Sequence, residues 1–334
     1  MLNRSILVAL TIVCISSGQQ SGARFLLWHP SAKSISMGGI GVAIDNGVFA
    51  AYYNPASLGF INKTSISTSF GQPFPFFENM GHSFIGFSHN FKFGVMAFSA
   101  NMFWRERQLR TGEMGYNFGL DGEKFSYVKP NSSDLKQSIS SLIVDNLSFG
   151  INISLLNNNL VELGGGAEKG KGKSTIGLIG VGFRMNNISP NLTFLSDRSE
   201  IDLNRGLSLG IVYQNIGPQI IFIDADQADK PPTLIKIGLA YFPIILNNYS
   251  LLVSTDFEKQ LNEKSVLDFI HIGVELGLFN TIFLRSGYFN DMYEPMTSYH
   301  SFGAGLKYRK FEFNVAWYQM TIVPAWHFEL SYGG

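Results

Sequence analysis

Residues 147–155 read LSFGINISL. Leu147, Phe149, Ile151, Ile153 and Leu155 alternate with Ser148, Gly150, Asn152 and Ser154. A period of two gives a strand with one apolar face and one small or polar face. The same period governs FEFNVAWY at 311–318, where Phe311, Phe313, Val315 and Trp317 alternate with Glu312, Asn314, Ala316 and Tyr318. Working outward, about 14 such segments follow residue 63: 64–70, 82–89, 92–101, 135–142, 147–156, 174–183, 207–214, 233–242, 249–257, 268–276, 281–288, 299–308, 311–318 and 326–332. Their lengths approach the roughly 9–11 residues of a strand that crosses a bilayer. In 174–183 the apolar parity switches at Leu178-Ile179, and a bulge is expected there.

A soluble sandwich would also alternate, with its apolar face inward. The connections favour a membrane barrel, whose turns are short at one mouth and longer at the other. Linkers 90–91, 143–146, 243–248, 277–280 and 309–310 are short, whereas 102–134, 157–173 and 215–232 are long. The 184–206 connection breaks the rule, because it is long where a short turn is due. At the hairpin Arg309-Lys310, a two-residue turn places Lys307 opposite Glu312 on the lumen side. In the last segment Trp326, Phe328, Leu330 and Tyr332 face outward.

Composition agrees. Only 15% of the 334 residues are charged and 14% are aromatic, a low charge and a high aromatic content for a soluble protein. The 25 basic residues balance 25 acidic ones, so no nucleic-acid partner is expected. Residues 1–18 read as a signal peptide: Arg4, an apolar run over Ile6–Ile15, then Ser16-Ser17-Gly18. Cys14, the single cysteine, lies within that run. The expected organisation is therefore a signal peptide (1–18), an N-terminal periplasmic or plug segment (19–63) and an all-β transmembrane antiparallel barrel (64–334).

A barrel of this size is too wide for its wall side chains to fill. Ser31–Phe60, SAKSISMGGIGVAIDNGVFAAYYNPASLGF, is the expected plug. It is apolar, and glycines cluster at Gly38, Gly39 and Gly41. It ends in Asn54-Pro55-Ala56, where Asn54 suits a cap, Pro55 a first helical position, and Gly59 a stop. Met37, Ile40, Val42, Phe49 and Tyr53 would either line a ligand path or pack against the wall. Lys236, Asp256, His271, Glu275, Arg285, Lys307, Glu312 and Glu329 fall on the inward parity. They would either form a polar network or stand solvated in a wet pore.

No catalytic constellation survives inspection, so an enzyme, a cofactor or a metal site is not expected. AEKGKGKS (167–174) resembles a phosphate loop, but a strand follows it where a helix is required. GLSLG (206–210) matches a hydrolase nucleophile pattern, yet Ser208 sits in an alternating strand instead of a strained elbow. The six histidines lack zinc-type spacing.

The run MGGIGVAIDNGVFAAYYNPASLGF (37–60) resembles the N-terminal region of the PorV/PorQ family of bacterial outer-membrane proteins, relatives of the FadL fatty-acid channel. SLGIVYQNIGP (208–218), PPTLIKIGLAYF (231–242), HIGVEL (271–276), LRSGYF (284–289) and FGAGLKYRKFEFNVAWY (302–318) fit the same pattern in the same order. The long 184–206 connection and the final Gly333-Gly334 depart from it. The resemblance implies integral placement in the outer membrane among its lipids. It also implies one of two roles: passage of a hydrophobic or amphipathic ligand such as a fatty acid along the plug, with Met37, Gly38, Gly39, Ile40, Val42, Phe49, Tyr53, Asn54, Pro55 and Ala56 on the route, or docking of secreted cargo alongside type IX secretion proteins.

Overall fold

The computed structural model describes residues 23–75, 80–104, 108–109, 127–128, 131–144, 146–159, 173–188, 195–196, 206–221, 228–263, 265–292, 297–319 and 323–333. The expected signal peptide and the phosphate-loop-like run up to residue 172 lie outside these residues. Fourteen long strands form the wall: β1 (Ser65–Gly71), β2 (Gly81–Phe91), β3 (Gly94–Trp104), β4 (Asn131–Val144), β5 (Leu147–Asn159), β6 (Lys173–Met185), β7 (Leu207–Ile216), β8 (Leu234–Ile245), β9 (Tyr249–Gln260), β10 (Phe269–Leu278), β11 (Ile282–Asp291), β12 (Tyr299–Tyr308), β13 (Phe311–Tyr318) and β14 (Ala325–Gly333). Each pairs antiparallel with the next, and β1 pairs with β14, so the barrel closes without a free edge. Leu195–Ser196, in the long 186–206 connection, adds in parallel to the end of β8. This two-residue pairing leaves the count of wall strands unchanged.

Lipid outside and a filled lumen inside explain the period of two. Ile85, Phe98, Ile151, Ile153, Ile211, Ile237, Ile272, Leu284, Phe313 and Phe328 are exposed on the outer surface, while their strand neighbours are buried within. At the short-turn mouth, aromatic residues ring the outer face: Phe91 stacks on Phe93, Tyr249 approaches Phe279, and Phe311 approaches Tyr332. The 309–310 turn has the expected two residues, with Arg309 in the left-handed region (φ 55°), and Lys307 registers opposite Glu312. Glu312 nevertheless pairs with Arg285 (3.7 Å) instead of Lys307, because the guanidinium lies deeper in the lumen, away from competing water.

Two local expectations are corrected. No bulge occurs at Leu178-Ile179: β6 pairs with β5 without interruption there. The irregularity sits on β7, between Tyr213 and Ile216, where Asn215 takes a left-handed φ of 61°. Parity seemed to switch because inward Leu178 is apolar, and it is apolar because it packs against Phe25 and Leu26 of the plug. Gly59, for its part, does not stop its helical turn, which runs from Pro55 to Phe60. A Cβ there would strike the Ser148 hydroxyl, so its role is close packing against the wall.

Membrane placement is testable by adjacent substitutions. Ile151→Arg puts a cation into lipid near mid-strand and should weaken folding in vesicles by roughly 2–4 kcal/mol, measured by urea titration. Asn152→Arg faces the lumen, but the lumen is full: Asn152 is buried and approaches Ala51 O (3.5 Å). This variant should therefore fold in the bilayer with a displaced plug and read out as ion conductance, not as lost insertion. If Ile151→Arg inserted as well as the parent protein, the outer surface would not be a lipid face.

Candidate functional site

The plug begins earlier than its glycine-rich stretch suggests. Residues from Ala23 already lie inside, through a 3-10 turn (Arg24–Leu27) whose Phe25 and Leu26 are buried. Short helices follow at Ala32–Ile35, Gly47–Phe49, Ala50–Tyr53 and Pro55–Phe60. With so little regular structure, the backbone needs other partners in a space without bulk water, and the wall supplies them.

Pro30 O accepts hydrogen bonds from Ser69 Oγ and from His327 Nε2. Ser31 caps the first α-helical turn, accepting from Ser34 N, and donates its own hydroxyl proton to Glu329 Oε2 at 2.7 Å. Gly38 and Gly39 adopt φ of 75° and 91°, which bends the chain sharply past β11. Gly38 N donates to Ser301 Oγ (3.0 Å), and His271 Nδ1–H donates to Gly38 O (2.7 Å). The Asp256 carboxylate accepts from two successive amides, Gly41 (2.6 Å) and Val42 (3.0 Å). Arg184 Nη1 donates to Ile44 O at 2.9 Å.

Asn54 explains the Asn-Pro-Ala element. Its Oδ1 accepts from Ala56 N (3.0 Å) as the helix cap, and its Nδ2 donates to Val42 O (2.8 Å) and to Phe183 O of β6 (3.1 Å). One side chain thus closes the turn, ties two parts of the plug together and fixes both to the wall. This turn lies near the short-turn mouth, as expected from its proximity to β1.

Plug and wall meet closely because the wall carries glycine where the plug passes. On Gly150, Gly182, Gly210, Gly238, Gly273, Gly287 and Gly303, all pointing inward, an added Cβ would come within 3.0 Å of another atom, a plug atom among the nearest in each case. Met37 fits against Gly273 and Gly287, Val42 against Gly210 and Gly238, and Pro55-Ala56 against Gly150. Among the described residues the inward charges form a network. Arg285 donates to Glu275 Oε2 (2.6 Å) and Asn314 Oδ1 (2.7 Å), and Asn314 Nδ2 donates to Glu329 Oε1 (3.0 Å). Lys236 pairs with Glu258 at 2.8 Å, and His271 Nε2 lies 3.3 Å from the same carboxylate. Lys307 stays exposed at the short-turn mouth.

Above the plug, at the long-loop mouth, lies a cavity of about 420 Å³. Its walls are Leu27, Trp28, Ile35, Pro73, Phe74, Phe269, Phe289, Tyr299 and Tyr318, with His29, His82, His271, Glu258, Asp291, Thr297 and Arg24 as the polar lining. Trp28 meets Phe74 and Phe103 edge-on, and Phe289 stacks between Phe269 and Tyr299. Burial, with His271 nearby, holds the His29 imidazole well below its ordinary pKa. None of the residues expected on a ligand route, Met37, Gly38, Gly39, Ile40, Val42, Phe49, Tyr53, Asn54, Pro55 and Ala56, lines this cavity. Met37 and Ile40 pack with Ile44 and Leu252, Phe49 stacks on Phe84, and Tyr53 stacks on His29. Ser208 is buried within regular β7, far from the geometry of a nucleophile elbow.

A family model described as type IX secretion system protein PorV matches residues 17–265. Solved structures with similar folds include the Pseudomonas putida toluene transporter TodX (TM-score 0.55, 13% identity, covering 91% of this chain and 96% of that one). The Ralstonia pickettii toluene transporter TbuX gives a TM-score of 0.51 at 14% identity, covering 92% and 98%. No curated protein sequence matches the chain. At these identities the structural likeness speaks for the barrel fold alone.

Proposed function

The chain belongs to the PorV family of type IX secretion system proteins, and on that premise we propose that it is a closed, non-enzymatic outer-membrane barrel that docks secreted cargo or secretion partners. The long-loop mouth is then the cell exterior and the short-turn mouth the periplasm. The observation that carries this reading is the density of plug-to-wall bonds. Asp256, His271, Ser301, Arg184, His327 and Glu329 each hold plug backbone or a plug side chain, and Asn54 of the plug donates to Phe183 O of the wall. A conduit needs the plug to yield in each transport cycle, and every buried bond broken without replacement costs about 1–3 kcal/mol. A platform needs it only to stay. Cells lacking this protein should retain type IX cargo while taking up hydrophobic small molecules at the parent rate. Normal secretion with impaired uptake would overturn the docking role.

The aromatic cavity favours a second reading, a bound hydrophobic or amphipathic ligand such as a fatty acid, with the histidines and Arg24 among its polar lining. Under that reading Trp28→Ala should weaken binding of a fluorescent polyene fatty acid about tenfold, the equivalent of roughly 1.4 kcal/mol. Unchanged binding in Trp28→Ala would exclude this cavity as the site.

A further inference from the structure

The outward positions at mid-strand are apolar around nearly the whole barrel, and Gln137 of β4 breaks the pattern. It is exposed on the outer face, midway along β4, between the exposed Leu135 and Ile139 of the same strand. Across the ladder it registers opposite Phe98 of β3 and Ile153 of β5, both exposed as well. Leu155 and Ile151, opposite Leu135 and Ile139, extend the apolar surface on either side along the strands. The carboxamide is therefore surrounded by side chains that face hydrocarbon.

Hydroxyl groups on this face turn back to the wall: Thr68 Oγ1 donates to Phe84 O (3.0 Å) and Thr255 Oγ1 to His271 O (2.9 Å). Ser286, at mid-strand on β11, has only one hydroxyl to satisfy and lies on the opposite side of the barrel. Among the described residues, the Gln137 side chain has no hydrogen-bond partner. A carboxamide carries two N–H donors and a carbonyl acceptor, and no water reaches this depth to meet them. Leaving them unmet in hydrocarbon is costly, so a polar side chain inside the membrane marks a protein contact or a water-lined path. Gln137 points away from the lumen, which leaves the protein contact.

A second copy of this chain supplies the partner with no further polar residue. A two-fold axis along the membrane normal presents the same patch of both copies and brings the same residue of each to one depth. One carboxamide complements another, each donating an N–H to the other's carbonyl oxygen. Phe98, Leu135, Ile139 and Ile153 surround the pair, but lipid tails compete equally for such surfaces, so the amides and not apolar burial fix the contact. A different barrel would need a lipid-facing amide of its own at the matching depth. We propose that the outer face of β3–β5 is a self-association surface, in which Gln137 of one copy pairs with Gln137 of a second across a two-fold axis. Both lumens stay plugged and both long-loop mouths face the same way, so this contact stands or falls apart from docking at the mouth.

Lys92, exposed in the β2–β3 turn, is a place for a fluorophore beside this surface. In a Cys14→Ser background, Lys92→Cys protein labelled with donor or acceptor is mixed in phosphatidylcholine vesicles and diluted with lipid. Energy transfer should persist on dilution, and adding Gln137→Leu should move its midpoint to about tenfold more protein per lipid. Gln137→Leu makes a lipid face more apolar and leaves folding intact. Transfer no greater than random mixing in the parent, or an unmoved midpoint in Gln137→Leu, overturns the proposal. Cross-linking in the outer membrane of expressing cells identifies the occupant. With a short bismaleimide, Ile139→Cys should give a product of twice the chain's mass at least about tenfold more than Ile272→Cys, a comparably exposed position on the far side of the barrel. Equal yields at the two positions, or a product containing a different protein, also overturn it.

Discussion

Deleting residues 31–57 is expected to convert a closed barrel into an ion-conducting pore that still assembles. Assembly survives because the wall's hydrogen bonds run strand to strand, β1 to β14 included, and none passes through the plug. Conduction appears because Met37, Ile40, Val42, Phe49, Tyr52 and Tyr53, all buried, fill the lumen of the intact protein. Once they are gone, the inward charges left behind become water-solvated and favour ion entry. In planar bilayers the intact protein should give no steady current and the deletion variant discrete conductance steps. Equal current from both would mean that the segment does not seal the barrel.

Arg285→Ala should be the most destabilising single substitution in the lumen. Arg285 is buried, engages Glu275 and Asn314, and lies 3.7 Å from Glu312. Removing it takes the bonded guanidinium from the buried Glu275 carboxylate and loosens Asn314, which positions Glu329 for Ser31. Loss of one partner from a buried ion pair costs about 3–5 kcal/mol, to be read from urea titration in vesicles. Arg285→Lys keeps the charge but not the planar fork, and should fall between parent and Ala variant. If both variants were as stable as the parent, the network would contribute nothing to the fold.

The wall was legible in the sequence because its two environments differ sharply. Lipid requires apolar side chains on alternate positions, and the plug requires small or polar ones between them. That contrast marks Ile151 against Asn152, and Phe313 against Asn314, without any structure. Where both faces turn polar near strand ends, the pattern fades. Asp134, Arg184 and Glu258 sit just past the ends of the marked segments for this reason, and all three prove to be buried lumen residues. Inward Leu178 misled in the opposite sense, being apolar for the sake of Phe25 and Leu26.

The plug's existence was legible from Gly38-Gly39 and Asn54-Pro55-Ala56, but not its partners. Which carboxylate meets which amide depends on strand register around a closed barrel, and no local pattern encodes it. The inward glycines were a missed signal. Seven of them, one each on β5–β8 and β10–β12, share the parity of the polar residues, and a wet pore has no need of glycine there. Residues 24–29 fell within the expected 19–63 segment but outside the expected 31–60 plug, because RFLLWH has no period and no turn residue, although its density of apolar side chains next to the plug suits a cavity wall.

Hydrogen exchange of the plug in the intact, folded protein tests the closed barrel most directly. The amides of Gly38, Gly41 and Val42, which donate to Ser301 and Asp256, should exchange as slowly as those of β8–β11, because opening them requires breaking the same buried bonds. Exchange of these amides within seconds, with the wall strands still protected, would reveal a plug that opens on its own and would contradict a barrel that is permanently closed.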